Sequence, residues 1–121
     1  MRSACPVASS LDLFGDKWTL LVIRDIVAGK KRYGEFEKSP EGIPTNILAD
    51  RLRALEAHEL IRKVPYQSRP MRFEYHLTEK GADLLPVLQA MARWANMHIG
   101  GTWQPPAWFY DLSPDVLKGR K

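Results

Sequence analysis

The sequence predicts a mainly α-helical domain carrying one small β-hairpin. Three observations carry that reading. Through the N-terminal half, apolar residues recur at the three- and four-residue spacing of a helix. Between Ile61 and Leu77 the period shortens to alternation, around a stretch with two prolines. From Leu84 to Ile99 the helical spacing returns. The chain has 121 residues, which sets one domain with a core of ordinary size as the expectation. Hydrophobic residues make up 45% and charged residues 26%, the balance of a soluble globular protein. No apolar run is long enough to cross a bilayer, and the start lacks a signal-peptide core, so a cytoplasmic protein with no membrane partner is expected. A lone cysteine excludes an internal disulfide and fits a reducing compartment. The formal charge of +4 favours a polyanionic partner.

The elements follow in order. A first helix spans Cys5 to Phe14, with Cys5 at its cap, Pro6 in its first turn, and Val7, Leu11 and Phe14 on one face. Gly15 ends it. Asp16 reads as the N-cap of a second helix running to Ala28 and stopped by Gly29. That helix is apolar almost all round, which marks a central, buried element, and Arg24 and Asp25 form its one polar stripe. The basic cluster Lys30-Lys31-Arg32 precedes a short third helix, Tyr33 to Lys38. The cluster reads either as a solvated loop or as a phosphate contact. A loop, Ser39 to Gly42, leads into a fourth helix, Ile43 to Leu60, with Pro44 at the first helical position.

This fourth helix has two unlike faces. Leu48, Leu52 and Leu55 share one side. Thr45, Asn46, Asp50 and Arg53 lie on or near the other, and such side chains can pair with base edges or phosphates. The helix is therefore either an ordinary amphipathic surface helix or a DNA-reading one. After it, Ile61 to Val64 and Phe73 to Leu77 read as strands, and Pro65 to Arg72 as a tip carrying Arg69 and Arg72. A basic-tipped hairpin directly after an amphipathic helix is the layout of a winged helix-turn-helix.

Thr78 caps a long helix, Glu79 to Ile99, in which Pro86 either bends the helix or marks an early turn. Its broad apolar face (Leu84, Leu85, Leu88, Met91, Ala92, Ala95, Ile99) calls for a second subunit more than for its own small domain. Gly100 and Gly101 end it. The domain thus covers residues 1–100, followed by an aromatic, proline-containing tail, 101–121. Trp103, Trp108, Phe109 and Tyr110 are expected to pack on the domain or across a dimer. Packing alone or a small-molecule pocket are both open to these rings. The basic end from Lys118 to Lys121 is expected to fray.

Four stretches, in this order and spacing, resemble the HxlR-type winged-helix transcriptional regulators, relatives of the MarR group. Cys5-Pro6-Val7 with Gly15-Asp16-Lys17-Trp18-Thr19 is similar to the opening of that family. Arg32-Tyr33-Gly34-Glu35-Phe36 is similar to its next helix. Gly42 to Leu48 with Arg51, Leu52, Leu55 and Glu56 resembles its recognition helix, and Glu74 to Gly81 its second wing strand and following helix start. The resemblance spans residues 5 to 95. It implies a homodimer that binds double-stranded DNA at a pseudo-palindromic operator and is joined through its first and last helices. It carries over Thr45, Asn46 and Arg51 as recognition-helix positions, Arg32 as a phosphate contact, and Arg69 and Arg72 as wing contacts. With Lys31, Asp50 and Arg53 from the reading of the residues, these make up the candidate DNA-binding set. Asp50 either accepts from cytosine or neutralises a neighbouring arginine.

Two features depart from the resemblance. Glu59 stands where the family commonly has glycine, so it either takes a left-handed conformation or the helix ends differently. The tail after Gly101 lies outside the shared pattern.

Some family members sense oxidants or electrophiles through a cysteine at the position of Cys5. A thiol at a helix N-terminus has its thiolate stabilised by unpaired backbone donors, and Arg2 adds positive charge nearby. The alternative is an inert, buried cysteine. No catalytic constellation, no metal-ligand spacing among His58, His76 and His98, and no phosphate-binding glycine loop stand out, so neither an enzyme nor a cofactor is expected. The rival to a DNA reader is a winged-helix module that binds protein.

Overall fold

The computed structural model describes residues 3–119. Its elements are α1 (Pro6–Phe14), α2 (Thr19–Val27), α3 (Tyr33–Phe36), α4 (Thr45–Ala57), β1 (Ile61–Ser68), β2 (Met71–Leu77), α5 (Glu79–Ala82), α6 (Leu85–His98), α7 (Ala107–Asp111) and α8 (Pro114–Lys118). The strands pair antiparallel, with Ile61 opposite Leu77 and Ser68 opposite Met71. Helices before and after this hairpin complete a winged helix-turn-helix.

Cys5 caps α1 and Pro6 fills its first turn, as the sequence predicts. Asp16 also acts as a cap, across an intervening turn. Its Oδ2 accepts from the N–H groups of Trp18 at 3.0 Å and Thr19 at 3.1 Å, so regular helix starts only at Thr19. Val22, Ile23, Ile26 and Val27 of α2 are buried. Asp25, expected on a polar stripe, is buried as well. The Ser39 hydroxyl and Arg24 guanidinium bond it, and the Lys30 ammonium lies 3.9 Å away. On the enclosed side of α2 water cannot solvate the Asp25 charge, so neighbouring side chains compensate it.

The core forms where α2 meets α4 and the base of the hairpin. Val22, Ile23, Phe36, Leu48, Leu52, Leu55, Leu60, Ile61, Leu85 and Leu117 are among its buried members. The apolar side of α4 is thereby used up, as its three-and-four spacing predicts. The helix itself is shorter than expected. Pro44 is extended (ψ 143°) and serves as the N-cap, its carbonyl accepting from the Leu48 N–H at 2.9 Å. At the other end Glu59 adopts φ +60°, the left-handed alternative, at a cost of about 1 kcal/mol. The Leu60 N–H then reaches back to the Leu55 carbonyl at 2.9 Å, closing the helix and burying Leu60. The Thr78 hydroxyl donates to the Glu59 carbonyl at 2.6 Å. Gly81 completes this joint, because a Cβ there would sit 2.0 Å from the Leu60 carbonyl oxygen.

Two expectations are revised by backbone pairing. The strands run on to Ser68 and from Met71, leaving only Arg69 and Pro70 between them. The ladder tolerates Pro65 through a register shift between Pro65 and Gln67, which sets Tyr66 out as a bulge. The single helix expected from Glu79 to Ile99 is two, α5 and α6, interrupted at Asp83 and Leu84. Pro86 occupies the first turn of α6, where its missing N–H leaves no bond unmade.

The tail packs back onto this frame. The Gln89 side-chain amide donates to the carbonyls of Phe109 and Leu112, both at 3.0 Å. Leu117 enters the core, and Lys118, expected to fray, pairs with Asp83 at 2.9 Å. Arg120 and Lys121 lie outside the described residues. Trp103 is exposed on this chain. None of the helices among the described residues is long and apolar enough to cross a membrane.

Candidate nucleic-acid interface and reactive cysteine

The outer face of α4 is built by subtraction. With Leu48, Leu52 and Leu55 committed to the core, Thr45, Asn46, Asp50 and Arg53 are left exposed. The start of the helix is fixed by the Tyr33 hydroxyl, which donates to the Thr45 carbonyl at 2.9 Å. Arg51 is turned aside from that face: its Nε donates to Asp16 Oδ2 at 2.8 Å, and its Nη1 also bonds Asp50. Arg51 therefore pins α4 to the cap of α2. Asp50 neutralises arginine, bonding Arg51 and lying 3.9 Å from Arg53. Arg53 is the most open of these, its side chain 72% exposed.

The Asp16 carboxylate is the hub of this joint. Partial burial pushes its pKa up, but hydrogen bonds from the Thr19 and Arg51 side chains and from two backbone N–H groups outweigh that and hold it at about 2. The same bond, chiefly from Asp16, raises the Arg51 guanidinium pKa.

Arg32 joins the short helix to the wing. Its Nε donates to Glu74 at 3.2 Å, and its guanidinium lies over the Tyr66 ring at 3.8 Å to the centroid. The bulge that displaces Tyr66 thus has a use. Glu74 also bonds His76 at 3.2 Å, and His76 followed by Arg32 depresses its pKa. Lys31 is half-buried, and its carbonyl accepts from the Tyr75 N–H at 2.7 Å. Arg69 and Arg72 are exposed at the wing tip. The structure therefore brings Arg32, Tyr33, the start of α4 and the wing stem into one contiguous set, with the wing tip projecting beyond it. The positioning roles of Tyr33, Tyr66 and Glu74, and the tie from Asp16 to Arg51 beyond its cap, do not show in the sequence. Their partners lie up to 42 positions away, and no periodicity marks such pairs.

Cys5 is exposed on the single chain. The backbone N–H groups of Ala8 and Val7 lower its thiol pKa, the expected effect of a helix N-terminus on a thiolate. Arg2, expected to assist, lies outside the described residues.

Comparison with known proteins places these features. The HxlR-like helix-turn-helix family pattern matches residues 13–102. A helix-turn-helix transcriptional regulator of Mycobacterium tuberculosis (strain H37Rv) is 38% identical over 100 residues, 83% of this chain and 63% of the relative. The chain thus spans less than two thirds of that regulator's length. Among solved structures, PA1607, described as a candidate transcription factor, superposes with a TM-score of 0.76 at 40% identity, covering 88% of this chain and 73% of that one. The redox regulator HypR in its reduced form superposes with a TM-score of 0.73 at 33% identity, covering 79% of this chain and 95% of that one.

Proposed function

The chain belongs to the HxlR-like helix-turn-helix family, whose relatives are transcriptional regulators, and from that premise we propose that it binds double-stranded DNA as a homodimer and regulates transcription at a pseudo-palindromic operator. The observation that carries the reading is the outer face of α4, exposed and polar, beside an arginine-bearing wing. Asn46 reads a base, since its amide can pair bidentately with adenine. Thr45 and Arg53 contact bases or phosphates. Lys31, Arg32, Arg69 and Arg72 neutralise phosphates. Arg51 acts mainly by holding α4 in place, with Asp50 tempering the charge of Arg51 and Arg53.

A dimer is supported by what the single chain leaves uncovered. No residue of α1 is buried, and Val7 and Leu11 stand out from it. On α6, Met91, Trp94 and Met97 form an exposed stripe at three-residue spacing, continued by Ile99. Apolar area of this extent calls for a partner surface, and a second copy supplies one through α1 and α6, with Trp103 beside them. Two recognition helices would then meet half-sites about one helical turn apart.

The exposed, acidified thiol of Cys5, with the likeness to a redox regulator, supports a second layer: oxidants or electrophiles modify Cys5 and alter DNA binding.

The test of DNA reading is selection from a random pool followed by a salt titration. The expected result is one preferred site whose affinity falls linearly on a log–log plot against salt. The Arg69→Ala/Arg72→Ala variant should reduce that slope by about 2 per half-site. Absence of a preferred site at any salt would move the assignment to a protein-binding winged helix.

A further inference from the structure

Successive residues of a helix turn by about 100°, so α4 presents Asn46, Asp50 and Arg53 outward, opposite the buried Leu48, Leu52 and Leu55. The same rotation puts Thr45 and Glu56 on one flank of that face and Ile47 and Arg51 on the other. The first flank meets α3 and the hairpin. There the Tyr33 hydroxyl bonds the Thr45 carbonyl, and Glu56 shares a groove with Ile61 and Lys63 of β1. Lys31, Arg32, Arg69 and Arg72 therefore all belong to the hairpin side. The second flank meets the start of α2, through the 2.8 Å bond from Arg51 to Asp16. The next residue there, Lys17, is exposed. We infer that Lys17 binds a phosphate of the DNA strand that lies across the major groove from the wing.

A helix lying in the major groove has a sugar-phosphate backbone on either side of it. Cations on the hairpin side alone would leave the opposite backbone without a charged contact. Lys17 has both the position and the free charge for it. Its backbone is held beside α4, because the Asp16 carboxylate bonds Arg51 on one side and the Trp18 N–H on the other. Among the described residues its ammonium forms no ion pair, and its contact is the Trp18 ring, 4.8 Å to the centroid. A ring carries no net charge, so this contact orders the side chain and leaves the cation to an anion. The carboxylates of this flank are already engaged. Asp16 accepts from Arg51, Thr19 and Trp18, and Asp50 bonds Arg51.

Lys17 takes this role on the DNA-binding reading above, to which it adds the second strand. The contact also gives the Asp16–Arg51 tie a consequence beyond stability, since that tie fixes the spacing between a phosphate anchor and the reading face of α4.

The test is a salt titration of the full chain on its selected DNA, run with Lys17→Gln, Lys17→Arg and the Arg69→Ala/Arg72→Ala variant. Lys17→Gln should lower the log–log slope by about 1 per half-site and weaken binding about three- to tenfold at ~0.1 M salt. The preferred sequence should stay the same, because a phosphate contact carries no base information. Lys17→Arg should restore the slope, which a role in packing alone would not produce. Urea midpoints near that of wild type check that each variant is folded. Synthetic DNA with single phosphates replaced in turn by neutral methylphosphonates then locates the contact. One replacement should weaken wild type and leave Lys17→Gln unaffected. It should lie across the major groove from the replacements to which Arg69→Ala/Arg72→Ala becomes insensitive. A Lys17→Gln slope equal to wild type, no phosphate coupled to Lys17, or a coupled phosphate on the wing's own side overturns the contact. If that occurs while wild type binds one preferred site, the DNA reading stands and Lys17 alone falls. If wild type finds no preferred site at any salt, the DNA reading falls and Lys17 with it.

Discussion

Replacing Asp16 with alanine should remove both the cap of α2 and the tie that holds α4. The cap consists of bonds to two backbone N–H groups and the Thr19 hydroxyl. Loss of such a cap costs about 1 kcal/mol. The ion pair with Arg51 joins side chains 31% and 29% exposed, and a pair this open contributes about 0.5–1 kcal/mol. Asp16→Ala is therefore expected to destabilise the chain by about 1.5–2 kcal/mol. Asp16→Asn keeps an acceptor for the backbone and loses the charge, at about 1 kcal/mol. The pH dependence follows from the pKa, which falls from an ordinary 3.8 to about 2. A carboxylate depressed on folding contributes stability above its ordinary pKa and loses it as pH falls toward the folded value. That depression corresponds to at most about 2.5 kcal/mol, and solvent screening of a partly exposed group reduces it to about 1 kcal/mol. The gap between wild type and Asp16→Asn should thus be full at pH 7 and should narrow as pH drops from 4 toward 2. Urea unfolding at fixed protein concentration measures this, with slopes compared to confirm that only stability changed. An Asp16→Ala variant within about 0.3 kcal/mol of wild type, or a gap that does not narrow in acid, would refute the hub.

Asn46→Ala should loosen sequence preference by about 1–3 kcal/mol at one base pair while lowering non-specific binding much less, measured by competition among single-base operator variants. If it lowers both equally, α4 is oriented differently on DNA. Cys5→Ser should bind DNA as wild type does and lose the response to diamide or a quinone. A mutant that still responds, or a wild type that does not, removes the sensor. Trp94→Glu with Met97→Glu should convert the proposed dimer to monomer in sedimentation. Burying unpaired carboxylates weakens association by about 3 kcal/mol or more, over a hundredfold in the dimer Kd.

Much of this architecture is local and therefore readable in the chain. The spacing of Leu48, Leu52 and Leu55 determined which side of α4 is buried, and so which side remains for a ligand. Cys5, Pro6, Asp16 and Thr78 mark helix starts because capping is a matter of a few adjacent residues. Glu59 showed the limit of that legibility. Its left-handed conformation is disfavoured locally, and contacts from Leu60 and Thr78 impose it.

What only the tertiary structure decided is set by partners distant in sequence. The strands reach Ser68 and Met71 because each completes the other's backbone bonds, which a run of Pro, Gln and Ser does not advertise. Asp25 is buried because Ser39 and Arg24 compensate it there. The roles of the arginines divide in the same way. Sequence made Arg32, Arg51, Arg53, Arg69 and Arg72 equivalent as cations. The fold spends Arg51 on Asp16 and Arg32 on Glu74 and Tyr66, while Arg53, Arg69 and Arg72 stay exposed. A charge is written in the residue, but whether solvent or a carboxylate faces it depends on what the folded chain brings alongside.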